Sequence, residues 1–194
     1  MNIKTGMLTI AVSLILTGAA VASQTFEIDT SHAYVGFTID HLVISKVRGD
    51  FRDFTGTIDL DEEGKVNQVA SAIEVKSLDT GIQNRDDHLK SADFFDAENY
   101  PQIIFKSKNI QQDGGRNVLI GDLTIHGVTK EIALPFTVKG PVMDTYGKTR
   151  IGFEASTVIN RTDYGLTWSK TMETGGLIVG EEVELLINLE AIKI

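Results

Sequence analysis

The sequence predicts an all-β fold: about eight antiparallel strands closed into a barrel, with one or two short helices in crossover segments. Three observations predict it. Long segments alternate apolar and polar side chains with period two, the mark of a strand with one wet face. Glycine-bearing turns join many of these segments as neighbours, which makes an antiparallel meander. Finally, a meander of that many strands with one apolar face must close or stack on itself, and closure is the simpler outcome.

The elements follow in chain order. MNIKTGM, with Lys4, precedes the uncharged run LTIAVSLILTGAAVA, which ends on Ala20, Val21 and Ala22. A positive start, a short apolar middle and a small-x-small exit read as a secretory signal over residues 1–22, since the apolar run is shorter than the roughly 20 residues of a membrane span. Residues 23–194 are then expected to form one domain. AYVGFTID is the first strand signal. HLVISKVRG, 41–49, breaks the alternation and is expected to hold no more than a turn or two of helix before Gly49. FRDFTGTIDLD and VNQVASAIEVKSL are strands separated by the turn DEEGK, 61–65. NRDDHLKSADFFDAENYP, 84–101, carries helix punctuation, with Asn84 as a cap, Asp86 and Asp87 in the first turn and Pro101 forcing an extended restart. Leu89, Ala92 and Phe95 recur every three residues, so one face is expected on the barrel and the charges in water.

QIIFKSKNI and NVLIGDLTIHG flank the turn QDGGRN, and HGV at 126–128 leads into KEIALPFTVKG, where Ile132, Leu134, Phe136 and Val138 share one side. TYGK, 145–148, precedes TRIGFEASTVIN, whose Ile151, Phe153, Ala155 and Ile159 alternate with polar neighbours. RTDYGLTWSKTMETGGLIVG, 161–180, holds the only tryptophan; at about 20 residues it is long for a hairpin loop and reads as a covering element. VELLINLEAIKI closes the chain with Val183, Leu185, Ile187, Leu189 and Ala191 on one side.

Composition narrows the chemistry. The net charge is -9, one unit more negative without Lys4, and no Lys/Arg run offers a basic face, which argues against a nucleic-acid partner. With no cysteine there is no disulfide, no thiolate nucleophile or metal site, and no lipoprotein anchor. His32, His41, His88 and His126 lie far apart and none forms a helical zinc pair. No G-x-S-x-G and no phosphate-cradling glycine loop follows a strand, so no catalytic, metal-binding or cofactor-binding residue is assigned. Arg85 reads either as a salt-bridged helix start or, with His88, as a contact for a polar head at a cavity mouth. The aromatic residues Phe37, Phe51, Phe54, Phe105, Phe136, Phe153 and Trp168 either pack a solid interior or line a hollow one, and pattern alone leaves both open.

SHAYVGFTIDHL, VRGDFRDFTGTIDLD, NRDDHLKSADFFDAENYPQIIFKS, GDLTIHGVTKEI and GFEASTVINRTDYGL, in that order, make residues 26–194 resemble the YceI family of bacterial periplasmic, polyisoprenoid-binding proteins with a lipocalin-like barrel. The chain departs from the family pattern at Ala33 and Glu131. The resemblance implies a long apolar tunnel holding an isoprenoid quinone, a polyprenyl lipid or another long-chain amphiphile, in a periplasmic monomer or homodimer that binds without catalysis. Its expected ligand contacts are the seven aromatics above together with Ile39, Ile73 and Leu134. Arg85, His88, Phe94 and Phe95 join them from the 84–101 segment, which with Leu89 is expected to act as a lid. Two rival readings stand beside it: an enzyme working on a lipid through Asp86 and His88, and an interaction module with a filled interior.

Overall fold

The computed structural model describes residues 23–171 and 177–194; the expected leader at 1–22 lies outside the described residues. Among the described residues there are ten strands: β1 (Gln24–His41), β2 (Ser45–Phe51), β3 (Phe54–Leu60), β4 (Val66–Glu74), β5 (Leu78–Asp79), β6 (Gln102–Asp113), β7 (Arg116–Ile125), β8 (Val128–Met143), β9 (Thr149–Asn160) and β10 (Val179–Lys193). The ring runs β1-β3-β4-β6-β7-β8-β9-β10 and closes by pairing β10 with β1, which gives an eight-stranded antiparallel barrel. One α-helix, α1 (Gln83–Lys90), and two short 3-10 turns, Val75–Ser77 and Arg161–Tyr164, complete the described residues.

β1 is the seam. Its first residues pair with β3 (Gln24 opposite Leu60), its last with β2 (His41 opposite Ser45), and β10 runs along its other edge. β2 and β3 are thus one ribbon broken at Arg52 and Asp53. The segment 41–49 therefore contains no helix: it is a hairpin turn with Leu42 and Val43 at positive φ, followed by β2. Pairing with β1 outweighs local propensity there, because Val47, Gly49 and Phe51 face the interior at every second position.

Register decides what meets inside. Across the seam Val35 lies opposite Ile187, Phe37 opposite Leu185 and Ile39 opposite Val183. Two glycines make room for rings: a Cβ on Gly49 would lie 2.6 Å from the Phe37 ring, and one on Gly121 would lie 2.6 Å from the Phe105 ring.

The two ends of the barrel differ. At the lower end, where the chain enters β1 and leaves β10, Phe26, Ile58, Leu119, Ile151 and Ala191 are all but fully buried and fill the bore. Arg150 ties this end together, donating to Asp144 (2.7 Å), Asp29 (2.6 Å) and Glu190 (3.1 Å), and Asp29 also holds His32 at 3.0 Å. Asp29 reaches this position through the irregularity in the β1–β10 pairing between Ile28 and Ala33. Its hydrogen bond from Arg150, helped by His32, holds the Asp29 carboxyl down at about 2. Asp29, His32 and Glu190 converge closely enough for a metal, but the guanidinium of Arg150 already supplies the positive charge between them.

Candidate functional site: an apolar cavity under a ring cluster

At the upper end the inward side chains do not meet. They enclose a cavity of about 310 Å³, within the size range of small-molecule sites. Its wall is aliphatic and aromatic from every strand of the ring: Ile28, Phe37 and Ile39 from β1, Phe54 from β3, Val69 and Ile73 from β4, Ile103 and Phe105 from β6, Leu123 and Ile125 from β7, Leu134 from β8, Phe153 and Ile159 from β9, and Val183 to Leu189 on alternate positions of β10. Phe51 of β2 adds to this wall. Period-two alternation puts each there as barrel curvature turns one parity inward, and in β1 the irregularity between Ile28 and Ala33 shifts the inward set from even to odd positions.

The cavity is blind. Below Ile28, Leu134, Phe153 and Leu189 the next inward residues, Phe26, Phe136, Ile151 and Ala191, are packed solid. Phe136 therefore belongs to the floor and not to the wall: its ring stacks on Phe153 with centroids 5.3 Å apart and an interplanar angle of 17°. The expected tunnel is hollow only in its upper part, because large side chains interdigitate where the lower strands converge. The mouth lies at the other end, where the partly exposed His41, Arg85, His88, Trp168 and Ile178 form the rim.

The cover is built from the two irregular segments. α1 begins after Ile82, which is the N-cap residue in place of the expected Asn84 and gives no side-chain cap. Asp86 folds back instead, accepting from the backbone N–H of Thr80 at 2.9 Å and its hydroxyl at 2.5 Å. It is consequently buried at 6 % exposure, a correction to the expectation that the helix charges all face water. Arg85 donates to the Thr80 hydroxyl (2.7 Å) and carbonyl (2.8 Å), so the helix start is held by Thr80 and not by a salt bridge to the neighbouring aspartates.

Beyond α1 the chain turns, and Phe94 and Phe95 both reach the cavity, whereas Ala92 is exposed and Ala97 takes the buried position. Phe95 meets Phe51 edge-on at 6.1 Å. Phe94, His88 and Trp168 form a three-ring cluster with every pair of centroids 5.1 Å apart, His88 standing edge-on to both partners. His88 also hydrogen-bonds Asp93 at 3.0 Å. Asp86 and His88, paired in the enzyme reading, are thus each engaged with a different residue.

Of the fourteen sequence-derived contacts, all but Phe136 border the cavity: Phe37, Ile39, Phe51, Phe54, Ile73, Arg85, His88, Phe94, Phe95, Phe105, Leu134, Phe153 and Trp168. Sequence reasoning missed much of the aliphatic wall, Ile28, Val69, Ile103, Leu123, Ile125, Ile159 and Val183 to Leu189 on alternate positions, and the polar residues His41 and Arg161. The signal for Arg161 was present, since it continues the inward parity of Ile151, Phe153 and Ile159 by one more step.

Comparison with known proteins places this geometry. Residues 26–191 match the YceI-like domain family. Protein YceI of Salmonella newport is 37 % identical over 188 residues, 95 % of each chain. The UPF0312 protein plu2095 of Photorhabdus laumondii is 35 % identical over 184 residues, 93 % of each chain. Among solved structures, Burkholderia cenocepacia BcnA superposes with a TM-score of 0.73 at 26 % identity, covering 84 % of this chain and 99 % of BcnA. A polyisoprenoid binding domain from Saccharophagus degradans shares the fold at 15 % identity, with a TM-score of 0.65 over 90 % of this chain and 99 % of that domain.

Proposed function

The chain belongs to the YceI family, and from that premise we propose that it sequesters or carries a long-chain amphiphile, foremost a polyisoprenoid lipid such as an isoprenoid quinone or polyprenyl lipid, in the periplasm. The observation that carries this reading is the cavity itself: about 310 Å³, walled almost wholly by hydrocarbon and aromatic side chains, with Ser71 and Arg161 the polar residues in the wall and the other polar groups at the rim. Such a space takes the tail of an amphiphile and leaves its head near water. Each buried CH₂ contributes roughly 0.8 kcal/mol, so a few isoprene units supply on the order of 10 kcal/mol before the costs of ordering the chain.

Binding of this kind needs no reaction, and the groups that catalysis would recruit are engaged elsewhere: Asp86 with Thr80, His88 with Asp93. The acidic exterior, with a net charge of -9, keeps a loaded carrier dispersed in water. Export rests on the leader read at residues 1–22, and fusing that segment to a reporter that works only outside the cytoplasm tests it.

Mass spectrometry of organic extracts from protein purified out of bacteria, without added ligand, tests the binding reading. Recovery of an isoprenoid or other long-chain amphiphile near one per protein is expected. Repeated extracts with none, and no uptake of added polyprenyl lipid, would overturn it.

A further inference from the structure

Arg161 sits where a barrel wall should be apolar. It follows Ile159 on the inward parity of β9, borders the cavity and is 4 % exposed. Its guanidinium donates to three carbonyls: Gly180 at 2.7 Å through Nε, Val179 at 3.4 Å, and Leu166. Of the five N–H donors of an arginine, that leaves two. Among the described residues no carboxylate lies within ion-pair distance of it, in contrast to Arg150 at the opposite end of the same strand, which has three. Glu181, the acid that acts on it, is exposed. Burial accordingly pushes the Arg161 pKa below the ordinary arginine value.

A buried cation costs free energy unless its charge is matched, and carbonyl dipoles supply only part of the match. Arg85, the other guanidinium at the rim, has the buried carboxylate of Asp86 beside it through their shared partner Thr80, whereas Asp40, the acid bordering the cavity, is taken by Lys46 at 2.8 Å and leaves Arg161 without a carboxylate among the described residues. A protein of net charge -9 thus holds, among its described residues, a buried guanidinium with no carboxylate partner at the upper part of an apolar cavity.

We propose that Arg161 is the head-group anchor of this cavity and that it selects amphiphiles ending in an oxyanion, a carboxylate or a phosphate, over neutral chains of the same length. The inference rests on the cavity being a lipid site, and it goes further in naming the head-group chemistry. The guanidinium fork donates two parallel hydrogen bonds to a planar or tetrahedral oxyanion, and such charge-assisted bonds are roughly twice as strong as neutral ones.

Titration of the purified, delipidated protein at pH 8 with hexadecanoic acid, hexadecyl phosphate and hexadecanol tests it. The acid or the phosphate is expected to bind at least tenfold more tightly than the alcohol, and the stronger of the two identifies the head. In R161Q the preference should fall to within twofold; in R161K, which keeps the cation, a preference should remain. Equal binding of all three probes by the unmodified protein overturns the proposal whether or not R161Q folds. So does a preference that survives in R161Q, or one abolished by R85Q while R161K behaves as R161Q. Failure of all three probes to bind would instead sink the cavity reading on which the proposal rests.

Discussion

Acidification should unfasten the closed end of the barrel by an amount that can be worked out. Asp29, a nearly buried carboxylate joined to Arg150 and His32, is held at about 2 in the folded protein, whereas an unfolded aspartate titrates near 3.9. A carboxyl whose folded pKa is depressed contributes stability that is full above the unfolded value and is lost as pH falls towards the folded one. The window therefore runs from about pH 4 to about pH 2. Nearly two units at 1.36 kcal/mol each give about 2.6 kcal/mol, which solvent screening of the partly exposed pair reduces to about 2 kcal/mol, or roughly 4 to 8 °C in Tm for a domain of this size.

Because other carboxylates titrate in the same range, the measurement is a difference. Thermal unfolding of the unmodified protein and of Asp29→Asn, followed by circular dichroism from pH 6 to pH 2, should show the variant about 2 kcal/mol less stable near neutrality. The gap should close as pH drops below 4. If the two proteins lose stability in parallel, with a constant gap down to pH 2, the ion-pair account of this end is wrong.

Three further outcomes are expected. Asp86→Ala strands the Thr80 N–H and hydroxyl and removes the negative charge beside Arg85, so it should cost about 2 to 4 kcal/mol, read by urea denaturation, with Asp86→Asn milder. Gly121→Leu drives a side chain into the Phe105 ring; it should cost about 1 to 3 kcal/mol and, by pushing that ring into the cavity, weaken uptake of a long-chain fluorescent probe. Trp168→Ala opens the three-ring cover and should speed release of that probe in stopped-flow chase experiments far more than it lowers the melting temperature.

The barrel was legible in the sequence wherever an element keeps strict alternation over many residues, as in β8, β9 and β10. β2 was not, because Gly49 occupies an inward position and hides the period, while Leu42, Val43 and Ile44 at the hairpin tip make a contiguous apolar run. The cap of α1 was misread since Asn84 has the right chemistry; what holds the helix start is Asp86 reaching Thr80, a fold-back that no spacing rule encodes. In the site, parity identified which side chains face inward but not how far down the barrel they sit. Leu134 and Phe136 are two residues apart with the same orientation, and only the register with β7 and β9 makes one of them wall and the other floor. Arg161 escaped for a different reason: a charged residue just past a strand end looks like loop until the strand is seen to continue its inward set.

The solid lower half turns the barrel into a thimble with one door. A guest must back in hydrocarbon first and leave by retracing its path, so loading and unloading happen at the same face and any donor and acceptor must take turns there. Depth then acts as a ruler: a chain that outruns it dangles its surplus outside, where water penalises every extra carbon.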